Sequence, residues 1–325
     1  MGQHRIIAII AGLLACGGCA TAGAPGDSGT RGLNLAQTRQ ASDLGLGTYR
    51  ALIIGVNEYA DGETWATLKA PVKDAEAVYE TLTTRYGFAE EHTTLLRDEE
   101  ATLDRVRAEL SKLRKVSQPD DLVFVYYAGH GDYEEEFEGK KEGACWILHD
   151  GEQRGCTRNV LQADRVRRTL SKVKAKHLLL VADSCFAGGF GNRSGAADDT
   201  ERSDEQYKND LRLPSSLVLT SGDPDRTVLD QDGSGHSPFA KALLGALKYA
   251  PDDVGFVSAR DLEHAVRTEY KAARLGYGAR LWQLPDRPNR GGDFVFIDRE
   301  VQATLRAARP DAEDTSSPAQ ARASD

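Results

Sequence analysis

Leu122-Val-Phe-Val-Tyr-Tyr-Ala-Gly-His130-Gly131 and Leu178-Leu-Leu-Val-Ala-Asp183-Ser-Cys185-Phe-Ala-Gly-Gly189 are the two stretches whose reading decides the fold. Each is an unbroken apolar run, partly β-branched or aromatic, which is the pattern of a strand buried on both faces. Each closes in a turn of small residues that holds one reactive side chain. If the two strands are parallel neighbours, His130 and Cys185 emerge together at the carboxyl edge of one sheet, where open α/β folds place their chemistry. A cysteine and a histidine there suit a thiol nucleophile and its acid/base partner.

The chain around them alternates between strands and helices. Ala51-Leu-Ile-Ile-Gly-Val56 reads as a first buried strand. Leu68, Val72, Ala75, Val78, Tyr79 and Leu82 recur at helical spacing and predict a helix over 71–85, with Pro71 suited to its first turn. A strand at 93–96 and a helix at 103–116 lead into the His130 strand. Glu134 to Lys141 reads as a solvated loop, 144–148 as a strand, and Leu161, Val166, Leu170 and Val173 mark a helix before the Cys185 strand. Gly188 to Arg212 is nearly free of apolar residues and reads as a long exposed loop. A strand at 216–220, helices from Pro238 and over 259–274, and a strand at 293–297 complete the order, and the residues beyond Arg299 read as a disordered tail. The expected fold is α/β, with a mostly parallel central sheet covered by helices on both faces.

A chain of 325 residues with 40% hydrophobic side chains can bury a full core. The formal charge of −9 and the lack of a long basic run argue against nucleic acid as partner. At the N-terminus, His4-Arg5 precedes the apolar run Ile6 to Ala15, too short for a bilayer span and of the size of a signal-peptide core. Leu13-Leu14-Ala15-Cys16 resembles the lipobox of bacterial lipoproteins, which implies lipid on Cys16; Cys19 and cleavage near Ala20-Thr21-Ala22 are the alternatives. The resulting expectation is an exported protein anchored to the bacterial envelope through its N-terminal lipid. Cys145, Cys156 and Cys185 remain, an odd number in an oxidising setting. Either Cys145 and Cys156 pair locally, leaving Cys185 free, or all three stay reduced.

Ala51-Leu-Ile-Ile-Gly-Val-Asn57, Tyr126-Tyr-Ala-Gly-His130-Gly131, Asp183-Ser-Cys185 and His236-Ser-Pro-Phe239, in this order, resemble the caspase-like cysteine peptidases, in particular the bacterial and metacaspase branch. His130 and Cys185 lie 55 residues apart, near the spacing of about 50 in the animal caspases. The resemblance covers about residues 49–298 and implies a caspase-like fold. It implies Cys185 as nucleophile, His130 as its acid/base partner and an oxyanion hole from the backbone N–H groups of Gly131 and Cys185. It also implies that Asp183 lines the pocket for the side chain preceding the cut bond, favouring Arg or Lys. Asp223 and Asp225 are further pocket candidates, with plain turn chemistry as an equal alternative. The animal Gln-Ala-Cys is replaced by Asp183-Ser184-Cys185, so specificity for Asp does not carry over, and the metacaspase Ser two places before the histidine is Ala128.

The domain organisation so read is a signal peptide over 1–15, a flexible tether over 16–48, a peptidase domain over 49–298 with its loop at 188–212, and the tail 299–325. Self-cleavage in that loop, after Arg193, Arg202, Lys208 or Arg212, follows from the expected specificity. No cofactor is expected. Calcium activation is known among metacaspases, but Asp198-Asp199 and Asp230-Gln-Asp232-Gly233 lack EF-hand spacing and no site is assigned. The substrate expected is a protein or peptide; the alternatives are a catalytically silent caspase-fold interaction module and a legumain-like peptidase cutting after Asn.

Overall fold

In chain order the elements are β1 (Tyr49–Gly55), α1 (Pro71–Arg85), β2 (Thr93–Arg97), α2 (Leu103–Val116), β3 (Leu122–Ala128), β4 (Gly131–Phe137), β5 (Lys140–Ile147), β6 (Val160–Gln162), α3 (Ala163–Leu170) and β7 (His177–Asp183). There follow α4 (Asp204–Arg212), β8 (Ser215–Thr220), α5 (Pro238–Lys248), β9 (Phe256–Ser258), α6 (Ala259–Ala272), β10 (Arg280–Gln283), β11 (Val295–Ile297) and α7 (Arg299–Ala307). This computed structural model describes residues 46–307 except 138–139, 157, 191–202, 223–226, 232, 249–254, 277, 286 and 288–289. The expected signal segment, Cys16 and the tether to residue 45 lie outside the described residues, as do Asp198, Asp199, Asp223 and Asp225.

The main sheet runs β10-β8-β7-β3-β1-β2. Its strands pair in parallel except β10, which joins β8 antiparallel at the edge. The two stretches that open the reading are neighbours, and Ala128 pairs with Asp183 at their carboxyl ends. Both strands are buried along their whole length, as continuous apolar runs require. One face of the sheet packs Leu52, Ile54, Val123, Val125, Leu178 and Leu180 against α2, α3 and Trp146 of β5. On the other face Phe124 meets an aromatic cluster of Tyr49, Phe88, Phe294 and Phe296. Offset and tilted rings at these separations add to the area they bury.

Three expectations need correction. Residues 134–137 and 140–141, read as part of a loop, belong to the antiparallel pair of β4 and β5, extended by β6; cross-strand pairing overrides the charge of the segment. The 188–212 stretch contains α4, whose Ser203 caps the helix by accepting from Gln206 N and whose Tyr207 and Leu211 are buried. The tail starts as a helix, α7, which buries Leu305 and Gln302. The Cys145–Cys156 pairing is present as a disulfide, and Cys185 is the free thiol among the described residues.

Candidate active site

β3 and β7 end in register, so the turns after them carry His130 and Cys185 into one cavity of about 100 Å³. Cβ atoms are excluded at two glycines of this edge. At Gly131 a side chain would run into the Cys185 carbonyl, which locks the two turns against each other. Gly129 has φ +155 and faces the Tyr127 and Tyr59 hydroxyls. Phe186, directly after the cysteine, takes a left-handed conformation with φ 59. A non-glycine residue held there marks a turn over-determined by its surroundings.

The His130 ring is fixed from three sides. Its Nε2 donates to the Ala66 carbonyl at 2.8 Å, because a carbonyl can only accept, and Nδ1 is thereby left as the acceptor of the neutral ring. Tyr59 and Trp65 flank the ring at 4.9 and 5.5 Å between centroids. The main chain is held by Tyr59 Oη, which accepts from His130 N at 2.8 Å, and by Tyr127 Oη, which donates to the His130 carbonyl at 2.7 Å. Burial lowers the imidazole pKa below its ordinary 6.5. Burial likewise raises the Cys185 thiol above its ordinary value, opposed by backbone hydrogen bonds from Val228 and from Cys185 itself. The resting groups are therefore a neutral imidazole, with Nδ1 as its basic nitrogen, and a thiol, lining one cavity.

Behind the pair the cavity is acidic. Asp183, Asp74 and Asp230 all border it. Asp183 Oδ2 accepts from Ser237 Oγ at 2.5 Å, and Asp74 Oδ2 accepts from Ser237 N at 3.1 Å. The second oxygen of Asp74 meets His236 Nδ1 at 2.5 Å. Ser237 also caps α5 by accepting from Ala240 N at 2.9 Å. Desolvation raises the Asp183 carboxyl to about 7, with the Asp74 charge as the next cause, and raises Asp74 to about 7. Asp230 accepts from the N–H groups of Lys69 and Ala70 at 2.9 and 3.2 Å, tying its loop to the start of α1. The buried Ser184 hydroxyl borders the same cavity without a hydrogen-bond partner among the described residues.

A family model of the caspase domain matches residues 48–279. The chain belongs to the caspase-domain family of cysteine peptidases, C14. Among curated relatives of this caspase domain, Metacaspase-7 of Arabidopsis thaliana is 30% identical over 151 residues, 43% of this chain and 35% of that one. Metacaspase-1 of Saccharomyces cerevisiae (strain ATCC 204508 / S288c) is 31% identical over 102 residues, 30% of this chain and 23% of the other. The chain thus spans about a third or less of the length of these relatives. In the crystal structure of protein GSU0716 from Geobacter sulfurreducens the same fold recurs at TM-score 0.50 and 19% identity, over 75% of this chain and 100% of that one.

Of the residues expected at the site, the structure brings together His130, Gly131, Cys185 and Asp183. Asp74, Ser237, Tyr59, Trp65 and the Ala66 carbonyl were not foreseen in these roles. Asp74 had a legible signal, a carboxylate at a position of α1 that faces inward with Ala75 and Val78.

Proposed function

We propose that the caspase domain is a cysteine endopeptidase that cuts after Arg or Lys. The observation that carries the reading is the shared cavity: a thiol and a neutral imidazole at its mouth, and buried carboxylates behind them. Cys185 attacks the peptide carbonyl while Nδ1 of His130 takes its proton, then returns it to the leaving amine. The N–H groups of Gly131 and Cys185 are assigned to the oxyanion, and Asp183 and Asp74 to the cationic side chain of the substrate. A guanidinium or ammonium between two carboxylates relieves their mutual repulsion and gains charge-assisted hydrogen bonds in a dry pocket.

The substrate is a protein or peptide, and nucleic acid is not. Export, lipid on Cys16 and anchoring at the envelope complete the proposal, on the strength of the apolar run Ile6 to Ala15 and the residues before Cys16. Self-processing is kept for Arg193 and Arg202, which lie outside the described residues. Lys208 is 3% exposed within α4 and Arg212 ends that helix, so neither offers the extended backbone that a peptidase cleft takes. Calcium remains a proposal without a site.

The test is hydrolysis of fluorogenic peptides ending in Arg, Lys, Asn or Asp, with and without Ca²⁺, beside Cys185→Ala. Cleavage after Arg and Lys, lost in Cys185→Ala by at least about a thousandfold, is the expected result. Hydrolysis of none of them would make the domain a silent interaction module, and preference for Asn would favour the legumain-like reading.

A further inference from the structure

The chain carries 50 acidic against 41 basic side chains, yet the charged side chains that line one groove of the domain are cationic. A groove of about 530 Å³ between α2 and α3 is lined by Arg107 and Arg114 from the first helix and Arg165 and Arg168 from the second. A hollow of about 350 Å³ continues it past the helix ends, adding Lys115 and Lys174, with Arg114 and Lys172 common to both. Among the described residues no Asp or Glu lines either one. Arg168 has Asp164 at 3.8 Å, and Arg165 donates to Gln162 at 2.8 Å. The other five cations make no ion pair among the described residues. Like charges collected in this way repel one another, and a surface of spaced anions relieves the repulsion.

The place of this face in the fold selects the partner. Arg114 and Lys115 lie in the last turn of α2, just before β3, and Lys172 and Lys174 lie between α3 and β7. The face therefore sits at the amino edge of the sheet, opposite the turns that carry His130 and Cys185. Gln118 borders both the cationic hollow and a neighbouring one lined by Leu46, Gly47 and Thr48. Gly47 N donates to the Asp120 carbonyl at 3.0 Å, which fixes that end of the described chain beside β3. Residues 1–45, with the apolar run Ile6 to Ala15, thus join the domain at the rim of its cationic face.

We propose that this face docks on an anionic phospholipid surface, with headgroup phosphates seated among the α2 and α3 cations and the catalytic edge turned away from the bilayer. Arg and Lys on flexible stems suit phosphate oxygens, and juxtamembrane basic clusters are held by anionic leaflets. The charge distribution stands independently of the peptidase reading; the choice of a lipid surface and the orientation draw on the proposed N-terminal anchor.

The experiment is flotation of the full chain carrying Cys16→Ser, which cannot take lipid there, with two kinds of vesicle. One is phosphatidylcholine alone and the other contains phosphatidylglycerol at about one lipid in three. Expected are binding to the anionic vesicles at least about tenfold tighter than to the neutral ones and a fall in that excess with added salt. The double variant Arg114→Glu/Lys172→Glu should lose the excess, whereas Lys248→Glu/Lys271→Glu, with the same charge change away from α2 and α3, should keep it. Equal binding to both vesicles, or an excess that survives the first double variant, overturns the proposal. Tighter binding of polyglutamate than of anionic vesicles through the same residues also overturns it, in favour of an acidic protein partner. An unchanged unfolding midpoint shows that each variant is folded whether or not the chain hydrolyses any peptide, so failure of the peptidase reading and failure of this one are told apart.

Discussion

Ser237 joins two acids that would otherwise face each other unmediated: its hydroxyl donates to Asp183, its N–H to Asp74, and the same hydroxyl caps α5. Ser237→Ala should cost about 1 kcal/mol of stability through the lost cap. It should also raise KM for Arg-ended peptides several-fold with little change in kcat, since the pocket and not the thiol is disturbed; steady-state kinetics on Arg and Asn peptides separate the two parameters. The acids themselves predict a pH dependence. Both carboxyls titrate at about 7 in the folded chain against an ordinary 3.8. Between about 4 and 7 the folded state therefore keeps protons that the unfolded chain has released, so stability falls as pH rises through that window and levels off above it. Asp183→Asn removes part of this linkage, and thermal melts from pH 5 to 8 should decline less steeply than those of the parent. Parallel declines would show that the pair does not titrate there. Binding of a cationic side chain needs the ionised form, so KM for Arg peptides should rise as pH drops below about 7 in the parent.

At the level of elements, the side sheet of β4, β5 and β6 braces the catalytic edge. Trp146 of β5 stacks on Tyr127 at 4.4 Å and on Phe190 at 4.9 Å, and Tyr127 holds the His130 carbonyl. The Cys145–Cys156 disulfide ties β5 to the segment bearing Arg154, whose guanidinium lies 4.8 Å over Trp65, itself against His130. Cys156→Ser should lower stability by about 2–4 kcal/mol and lower activity, measured by denaturant unfolding and by hydrolysis under one fixed level of reductant. What was legible in the sequence follows the same physics. β3 and β7 were readable because burial on both faces leaves no polar residue in the run, and α1 and α2 because one apolar stripe recurs at helical spacing. The β4–β5 hairpin was not, since Glu134, Glu135 and Glu136 carry charge where the pairing is made by the main chain. The Ala66 carbonyl that orients His130 was beyond reach for a related reason: a backbone acceptor has no letter in the sequence. Asp183 could be placed through its neighbour Cys185, whereas Asp74 and Ser237 reach it from positions 109 and 54 residues away along the chain.

Across the whole molecule, the last elements close on the first. Tyr49 Oη of β1 donates to the Val295 carbonyl at 2.6 Å, Arg299 reaches the Thr83 carbonyl of α1, and Leu305 of α7 is buried. A chain ended at Asp298 should therefore unfold more easily by about 2–3 kcal/mol, the burial of one large aliphatic side chain and its surroundings; the urea midpoint of the truncated chain against the parent measures it. The order of the sheet, with β3 between β1 and β7, also means that the catalytic edge is supplied by several crossovers: Asp74 from α1, His130 after β3, Asp183 and Cys185 at the end of β7, and Ser237 before α5. No single excised stretch carries the site. One detail of the same closure has a topological meaning. Arg306 Nη2 donates to the Gly47 carbonyl at 3.5 Å, so the domain begins and ends at one spot. Its strand neighbours are thus independent of where the polypeptide is opened. A circular permutant that links Ala307 to Gly47 and starts between Phe190 and Ser203 preserves every pairing of the main sheet, and with it the geometry of the two turns, while carrying the histidine and the cysteine, still 55 residues apart, to the far end of the polypeptide.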